Sequence, residues 1–374
     1  MISTSVKPWR VIAKAIVIFV VLNFLFINVR SVILESQIYN HLITGRLRIP
    51  YAQPQVEQSA HSISVYEDMD AMFSAHILSS EEEKPASEFR IIFLGDSAIW
   101  GAGFPPQSAL PGQITTLHLM TCDKKKVVAY NLAFPSLYVM KDLLILERAI
   151  DYHPDLIVWG VTLNSLRDSN TNAGLFLPPY SNEALYLIRK YNLHVPTDSL
   201  KPQTVWDETL YPNRIILKKL AILQEDSLPW IATGLDYDLF DVTQVRSGND
   251  INPRNGFMDH STKLVPDDLM LDVLKAGDQL ASPTPVLVIN EPIFIANGKN
   301  SNLYYDSYYS RVLYDQYRQI LSRWANDTQQ LYLDYWNAIP PSEFTNTPLH
   351  ISAAGEAQFA SLLSNTILRL SCSQ

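Results

Sequence analysis

The chain has 374 residues, 47% of them hydrophobic and 18% charged, which excludes a disordered protein and allows one large domain, or a domain with an appendage. Its formal net charge of -9, with no basic patch interleaved with aromatics, argues against a nucleic-acid partner. Two cysteines, Cys122 and Cys372, are too few for a disulfide framework or a zinc cage. They form one bridge if the domain lies outside the cytoplasm, or stay two separate core thiols.

The first element is the most apolar. From Val11 to Val29 the chain reads VIAKAIVIFVVLNFLFINV, roughly 28 Å as a helix and enough to cross a bilayer. Lys14 lies one turn inside and can snorkel back to the interface. Lys7, Arg10 and Lys14 stand at one end and Arg30 at the other. That bias predicts a short cytoplasmic tail over 1–10, an anchor over 11–29, and a body outside, hence a single-pass protein of the cell membrane. RSVILESQ follows without a small-x-small cleavage site, so an uncleaved anchor is preferred to a signal peptide. The later stretch LAILQEDSLPWIATGL is interrupted by Glu225, Asp226 and Pro229 and is not read as a second span.

Residues 30–87 read as a stem, with mixed polarity, Pro50 and Pro54, and the acidic Glu81–Lys84. Over 88–374 the pattern becomes regular. Candidate strands at Arg90–Leu94, Val127–Leu132, Leu156–Gly160, Pro285–Asn290 and Leu331–Tyr335 alternate with candidate helices at Pro111–Thr121, Leu137–Tyr152, Pro266–Ala281, Tyr304–Ala325 and Ala353–Leu370. This predicts an α/β fold, a doubly wound, flavodoxin-like parallel sheet of five strands, whose site lies at their carboxyl ends. A stretch over about 165–263, rich in proline, asparagine and aromatics, reads as an insertion covering that site.

The stretch IIFLGDSAIWG, residues 91–101, runs an apolar strand into Gly-Asp-Ser. The tripeptide is ordinary turn chemistry if Asp96 or Ser97 merely caps the next helix. It is a nucleophile if a base and oxyanion donors also stand at strand ends. The base candidate is His350 in TPLHISAAGEAQFA, before the last helix. The donor candidates are the backbone N–H groups of Ser97 and of Ala133 in YNLAFPS, and the side-chain amide of Asn164 in WGVTLNS. None of the eight histidines forms an HxxxH or HExxH pair, so neither a metal nor another cofactor is expected.

These four stretches, in this order, resemble the blocks of the SGNH hydrolases, the GDSL esterase/lipase family. The resemblance runs from about Phe89 to the end, except the insertion. It implies a three-layer sandwich, Ser97 as nucleophile, His350 as general base, and Ser97, Ala133 and Asn164 as the oxyanion hole. Ala133 stands where the family usually has glycine. Thr347 stands three residues before the histidine, where the family has its catalytic aspartate, and Asn346, one position further back, carries no charge. A backbone carbonyl, Asn346 or a carboxylate from elsewhere then has to hold the imidazole. Glu291 in INEPIFI is the attractive carboxylate, and it can equally position substrate; Asp96 is a further orienting or substrate-binding candidate.

The expectation is a serine esterase or deacylase acting on acyl esters of cell-envelope glycans or lipids through an acyl-Ser97 intermediate. The first alternative is an O-acyltransferase, since membrane-tethered relatives of this fold act in polysaccharide O-acetylation or teichoic-acid D-alanylation beside a membrane acyltransferase. The second is a non-catalytic carbohydrate-binding module on the same fold, which the missing aspartate favours.

Overall fold

The computed structural model describes residues 7–35, 45–49, 69–80, 83–167, 180–197, 200–215, 217–218, 221, 249–251 and 263–372. The β-branched runs of the sequence pair as β1 (Glu88–Leu94), β2 (Lys126–Asn131), β3 (Leu156–Val161), β4 (Val286–Asn290) and β5 (Leu331–Asp334). All pairings are parallel and the order is β2-β1-β3-β4-β5, the flavodoxin-like order with its switch point beside β1. The helices are α1 (Pro8–Glu35), α2 (Met69–Ala75), α3 (Ser97–Trp100), α4 (Leu110–Thr116), α5 (Val139–Ala149), α6 (Leu163–Leu166), α7 (Ser181–Tyr191), α8 (Leu271–Ala281), α9 (Arg311–Thr328) and α10 (Ala353–Ser371).

Strand side chains alternate between two cores, as the period of two requires. Ile92, Leu94, Ile157, Trp159, Val286 and Val288 face one layer, where they meet Leu143 and Leu144 of α5, Leu274 of α8 and Leu321 of α9. Ile91, Phe93, Leu156, Val158, Leu287 and Ile289 face the other, against Ile114 of α4 and Phe359, Leu363 and Ile367 of α10. Each such side chain stabilises the fold by about 1.5–3 kcal/mol when fully buried, and both faces being covered explains why the strands read as unbroken apolar runs. Cys122, after α4, and Cys372, after α10, form a disulfide that ties this second layer together.

Several expectations change at element ends. The helix expected from Tyr304 begins only at Arg311. The Asp306 carboxylate accepts the N–H groups of Tyr308 and Tyr309, turning the chain, and Ser310 then caps α9 through Leu313 N–H. The stem expected over 30–87 is partly integral to the domain: Ile49, Met69, Phe73 and Leu78 are buried in the first core. Most of the insertion over 165–263, and its cover over the site, lies outside the described residues, as does LAILQEDSLPWIATGL apart from Ala221. Within the insertion, α7 packs on α5. At the other end of the chain, Pro8–Val29 of α1 is long and apolar enough to cross a membrane, with a mean hydropathy of 2.4.

Candidate active site

The register of the sheet brings the carboxyl ends of β2, β1 and β3 side by side, with Phe93 opposite Asn131 and Leu94 opposite Trp159. The turn after β1 begins at Gly95, whose φ of +148° suits glycine. A Cβ there would come within 2.8 Å of Ile99 Cγ1, so only glycine lets the strand drop directly into α3. Asp96 caps that helix: its Oδ1 accepts the Ala98 N–H at 2.8 Å. The turn and nucleophile readings of Gly-Asp-Ser are therefore compatible, because Asp96 caps and leaves the Ser97 hydroxyl uncommitted to the helix.

Ser97 Oγ lies 2.8 Å from His350 Nε2, and His350 Nδ1 lies 2.9 Å from Asn346 Oδ1. An amide oxygen only accepts, so Nδ1 carries the proton and Nε2 is free to accept from the serine hydroxyl. Burial pulls the imidazole pKa down to about 4, leaving it unprotonated and able to accept a proton at physiological pH. The loop that carries this relay is closed on itself. Thr345 N–H donates to the His350 carbonyl, and Thr347 Oγ1 accepts from the N–H groups of Leu349 and His350. Thr347 thus shapes the turn, and Asn346 occupies the place beside the imidazole.

The expected oxyanion donors differ in what engages them. Ser97 N–H and the Asn164 amide have no hydrogen-bond partner among the described residues. Asn164 is fixed on α6, whose start is locked by a reciprocal pair between Thr162 and Ser165. Ala133 avoids positive φ, so its N–H survives the replacement of glycine, but it already donates to Asn131 Oδ1 at 3.2 Å. Asn131 is a residue that pattern reading passed over. Its amide also donates to the Ile99 and Trp100 carbonyls, stitching β2 to α3.

Behind the turn sits a buried charged group. Lys141 Nζ, on α5, donates to the Gly95 carbonyl at 2.7 Å and pairs with Asp142 Oδ1 at 2.5 Å, while Trp159 Nε1 donates to the other Asp142 oxygen. Burial pushes the Asp142 carboxyl up to about 6, and it raises Asp96 as well. Glu291 is fully buried and neither of its oxygens has a hydrogen-bond partner among the described residues; burial, then the neighbouring Asp96, drives its pKa well above the ordinary range. It lies against Gly160, where a Cβ would come within 2.4 Å of Glu291 Oε1. Asp96 and Glu291 are sequence candidates, whereas Lys141 and Asp142 are signalled only by a Lys-Asp pair inside the apolar stretch VMKDLLIL.

Arg48 and Ile49 close the far side. The Arg48 guanidinium stacks 3.6 Å from the Trp100 ring centre and donates to the Trp100 and Gly101 carbonyls, and Trp100 Nε1 donates to the Ile49 carbonyl. Among the described residues no group of three His, Cys, Asp or Glu side chains could hold a metal ion.

No protein-family model and no curated protein matches the chain. Several solved structures align with most of the chain. An aryl esterase of M. smegmatis is 13% identical over 75% of this chain and 99% of its own, with a TM-score of 0.35. A carbohydrate acetylesterase family member from Sinorhizobium meliloti is 10% identical over 75% and 98%, with a TM-score of 0.33. A family two carbohydrate esterase from Clostridium thermocellum is 11% identical over 75% of this chain and 63% of its own, with a TM-score of 0.33. At these identities and scores, none of their activities transfers to this chain.

Proposed function

We propose that the chain is an SGNH-type serine esterase or deacylase, anchored by α1 with its body outside the cytoplasm, acting on acyl esters of cell-envelope glycans or lipids. The observation that carries this reading is the relay from Ser97 through His350 to Asn346, with bonds of 2.8 and 2.9 Å. A nucleophile, a base within hydrogen-bond reach and a third group orienting that base are the parts acyl transfer needs. Ser97 Oγ attacks the ester carbonyl while His350 Nε2 takes the hydroxyl proton. The oxyanion is met by Ser97 N–H and the Asn164 amide, with Ala133 N–H contributing once it loosens from Asn131. Collapse expels the alkoxide, protonated by His350, and leaves an acyl-Ser97. Water, deprotonated by His350, then releases the acid.

The localisation is supported by the apolar helix, by Lys7, Arg10 and Lys14 on its N-terminal side, and by the Cys122–Cys372 disulfide, which persists in oxidising compartments. An anchored site meets substrates of the membrane surface and the wall.

Ser97→Ala tests the reading. Labelling by a fluorophosphonate should vanish and p-nitrophenyl acetate turnover should fall by about 10⁴-fold or more, with the melting temperature unchanged. A folded Ser97→Ala protein that turns over substrate like the parent would return Gly-Asp-Ser to being a helix cap. Release of the acyl group onto an added glycan hydroxyl, rather than as free acid, would make the enzyme a transferase by the same intermediate.

A further inference from the structure

The segment over 204–215 lies against α1, and we infer that it is a second membrane-contacting element, reaching into the outer half of the bilayer that α1 crosses. The inference rests on the reading of α1 as a span. Tyr211 N–H donates to Asn23 Oδ1 at 2.7 Å, and the Phe19 and Tyr211 rings meet edge to face at 6.2 Å. Asn23 and Phe26 are buried on this face, while their neighbours Leu22, Phe24 and Leu25 are exposed. At 1.5 Å per residue, Asn23 lies about 9 Å and Phe19 about 15 Å inside the Val29 end of the apolar stretch. The hydrocarbon core is about 30 Å thick, so whatever touches those two residues is itself at membrane depth.

The segment is built for that position. It exposes Val205 (64%), Trp206 (49%), Tyr211 (47%) and Ile215 (56%), the aromatic and aliphatic mixture favoured at the bilayer boundary. Several of its polar groups are paired within the segment, as a low-dielectric setting demands. Asp207 Oδ2 accepts from Thr204 N–H and Oγ1, and the Asn213 amide donates to the Asp207 and Thr209 carbonyls. Arg214 lies over the Tyr211 ring at 4.0 Å, with a side chain long enough to reach lipid phosphates. Asp207, Arg214 and the following Lys218 are exposed, and the two basic side chains are long enough to snorkel toward the headgroups. Continuity with α1 identifies the occupant as lipid.

Because Cys122 and Cys372 are paired, one added cysteine can be labelled selectively. The full chain would carry a fluorophore at Trp206→Cys, Ile215→Cys, Leu22→Cys, Leu303→Cys or Val312→Cys, in phosphatidylcholine–phosphatidylglycerol vesicles containing acyl-chain nitroxide lipids. Quenching at 206 and 215 should exceed that at 303 and 312 severalfold and approach that at 22. Equal quenching at 206, 215, 303 and 312 overturns the inference, as does shielding of 206 and 215 from both nitroxide lipid and aqueous iodide, which a covering protein would produce. If the label at 22 also escapes the lipid quencher, the span reading itself fails. Quenching at 22 alone sinks only the second contact.

Discussion

Two sets of polar side chains meet at the glycine turn after β1, and they are opposites. Behind it, Asp96, Lys141, Asp142 and Glu291 are buried. In front, Ser97 and His350 are half-buried, Asn346 is exposed, and none of the three is a carboxylate. The rear group holds the Gly95 carbonyl through Lys141 and therefore the path of the chain into α3. A buried ion pair is a poor source of net stability, because desolvation offsets attraction, but it is unforgiving of losing one partner. The front set has the reverse character. Its members can be exchanged with little structural cost, and their value lies in where a proton and a negative charge travel during turnover. On the proposed function, position is supplied from behind by charge, and reaction from in front by neutral groups.

Removing one charge from the rear set should have the largest effect. Lys141→Met leaves Asp142 buried without its cation and takes a donor from the Gly95 carbonyl. A loss of about 3–5 kcal/mol in urea unfolding is expected, with activity falling along with the fold. Pairing it with Asp142→Leu should restore most of that stability, since an apolar pair of similar volume replaces the ion pair. A Lys141→Met protein as stable as the parent would show that the rear group supports nothing.

The front set predicts the opposite signature. Asn164→Ala deletes an amide that has no partner among the described residues, so the unfolding midpoint should hold. In turnover the same change should cost about 10²–10³ in kcat, with KM nearly unmoved, if the amide meets the oxyanion. An effect confined to KM would instead make Asn164 a substrate contact.

How visible each set was in the sequence follows from the range of its interactions. The strands were legible because both faces of the sheet are covered, which leaves continuous β-branched runs. Gly-Asp-Ser was legible because capping and a tight turn are local requirements. His350 was legible as a candidate by position, but its partner was open among a carbonyl, Asn346 and Glu291. The choice depends on the turn that Thr347 Oγ1 makes with Leu349 and His350, a detail of loop path rather than of residue pattern. Arg48 was read as stem because nothing nearby announces a Trp100 ring that lies 52 residues on. Lys141 and Asp142 stand side by side in an apolar helix, and only the packing of α5 under the turn gives them a role.

The smallest expected change is also the sharpest test of the division between the sets, because it moves a carboxylate from the kind found behind to the place in front. Asn346→Asp should put a charge where the amide oxygen now accepts from His350 Nδ1. In the parent, burial holds the imidazole near 4, below its ordinary 6.5. The base form therefore predominates above that value, and kcat/KM should stay level from neutral pH to about 5 and halve near 4. The stability linked to this depressed pKa has the same sign, present above 6.5 and lost as pH falls towards 4. A carboxylate favours the imidazolium, so Asn346→Asp should shift the acid limb of kcat/KM to higher pH. It should also stabilise the charge that develops on His350 during attack and raise the neutral rate about tenfold. A pH–rate profile on p-nitrophenyl acetate reads both effects together. A faster enzyme with an unmoved limb would place the gain elsewhere, and an unmoved limb with an unmoved rate would mean that residue 346 does not hold the imidazole in solution.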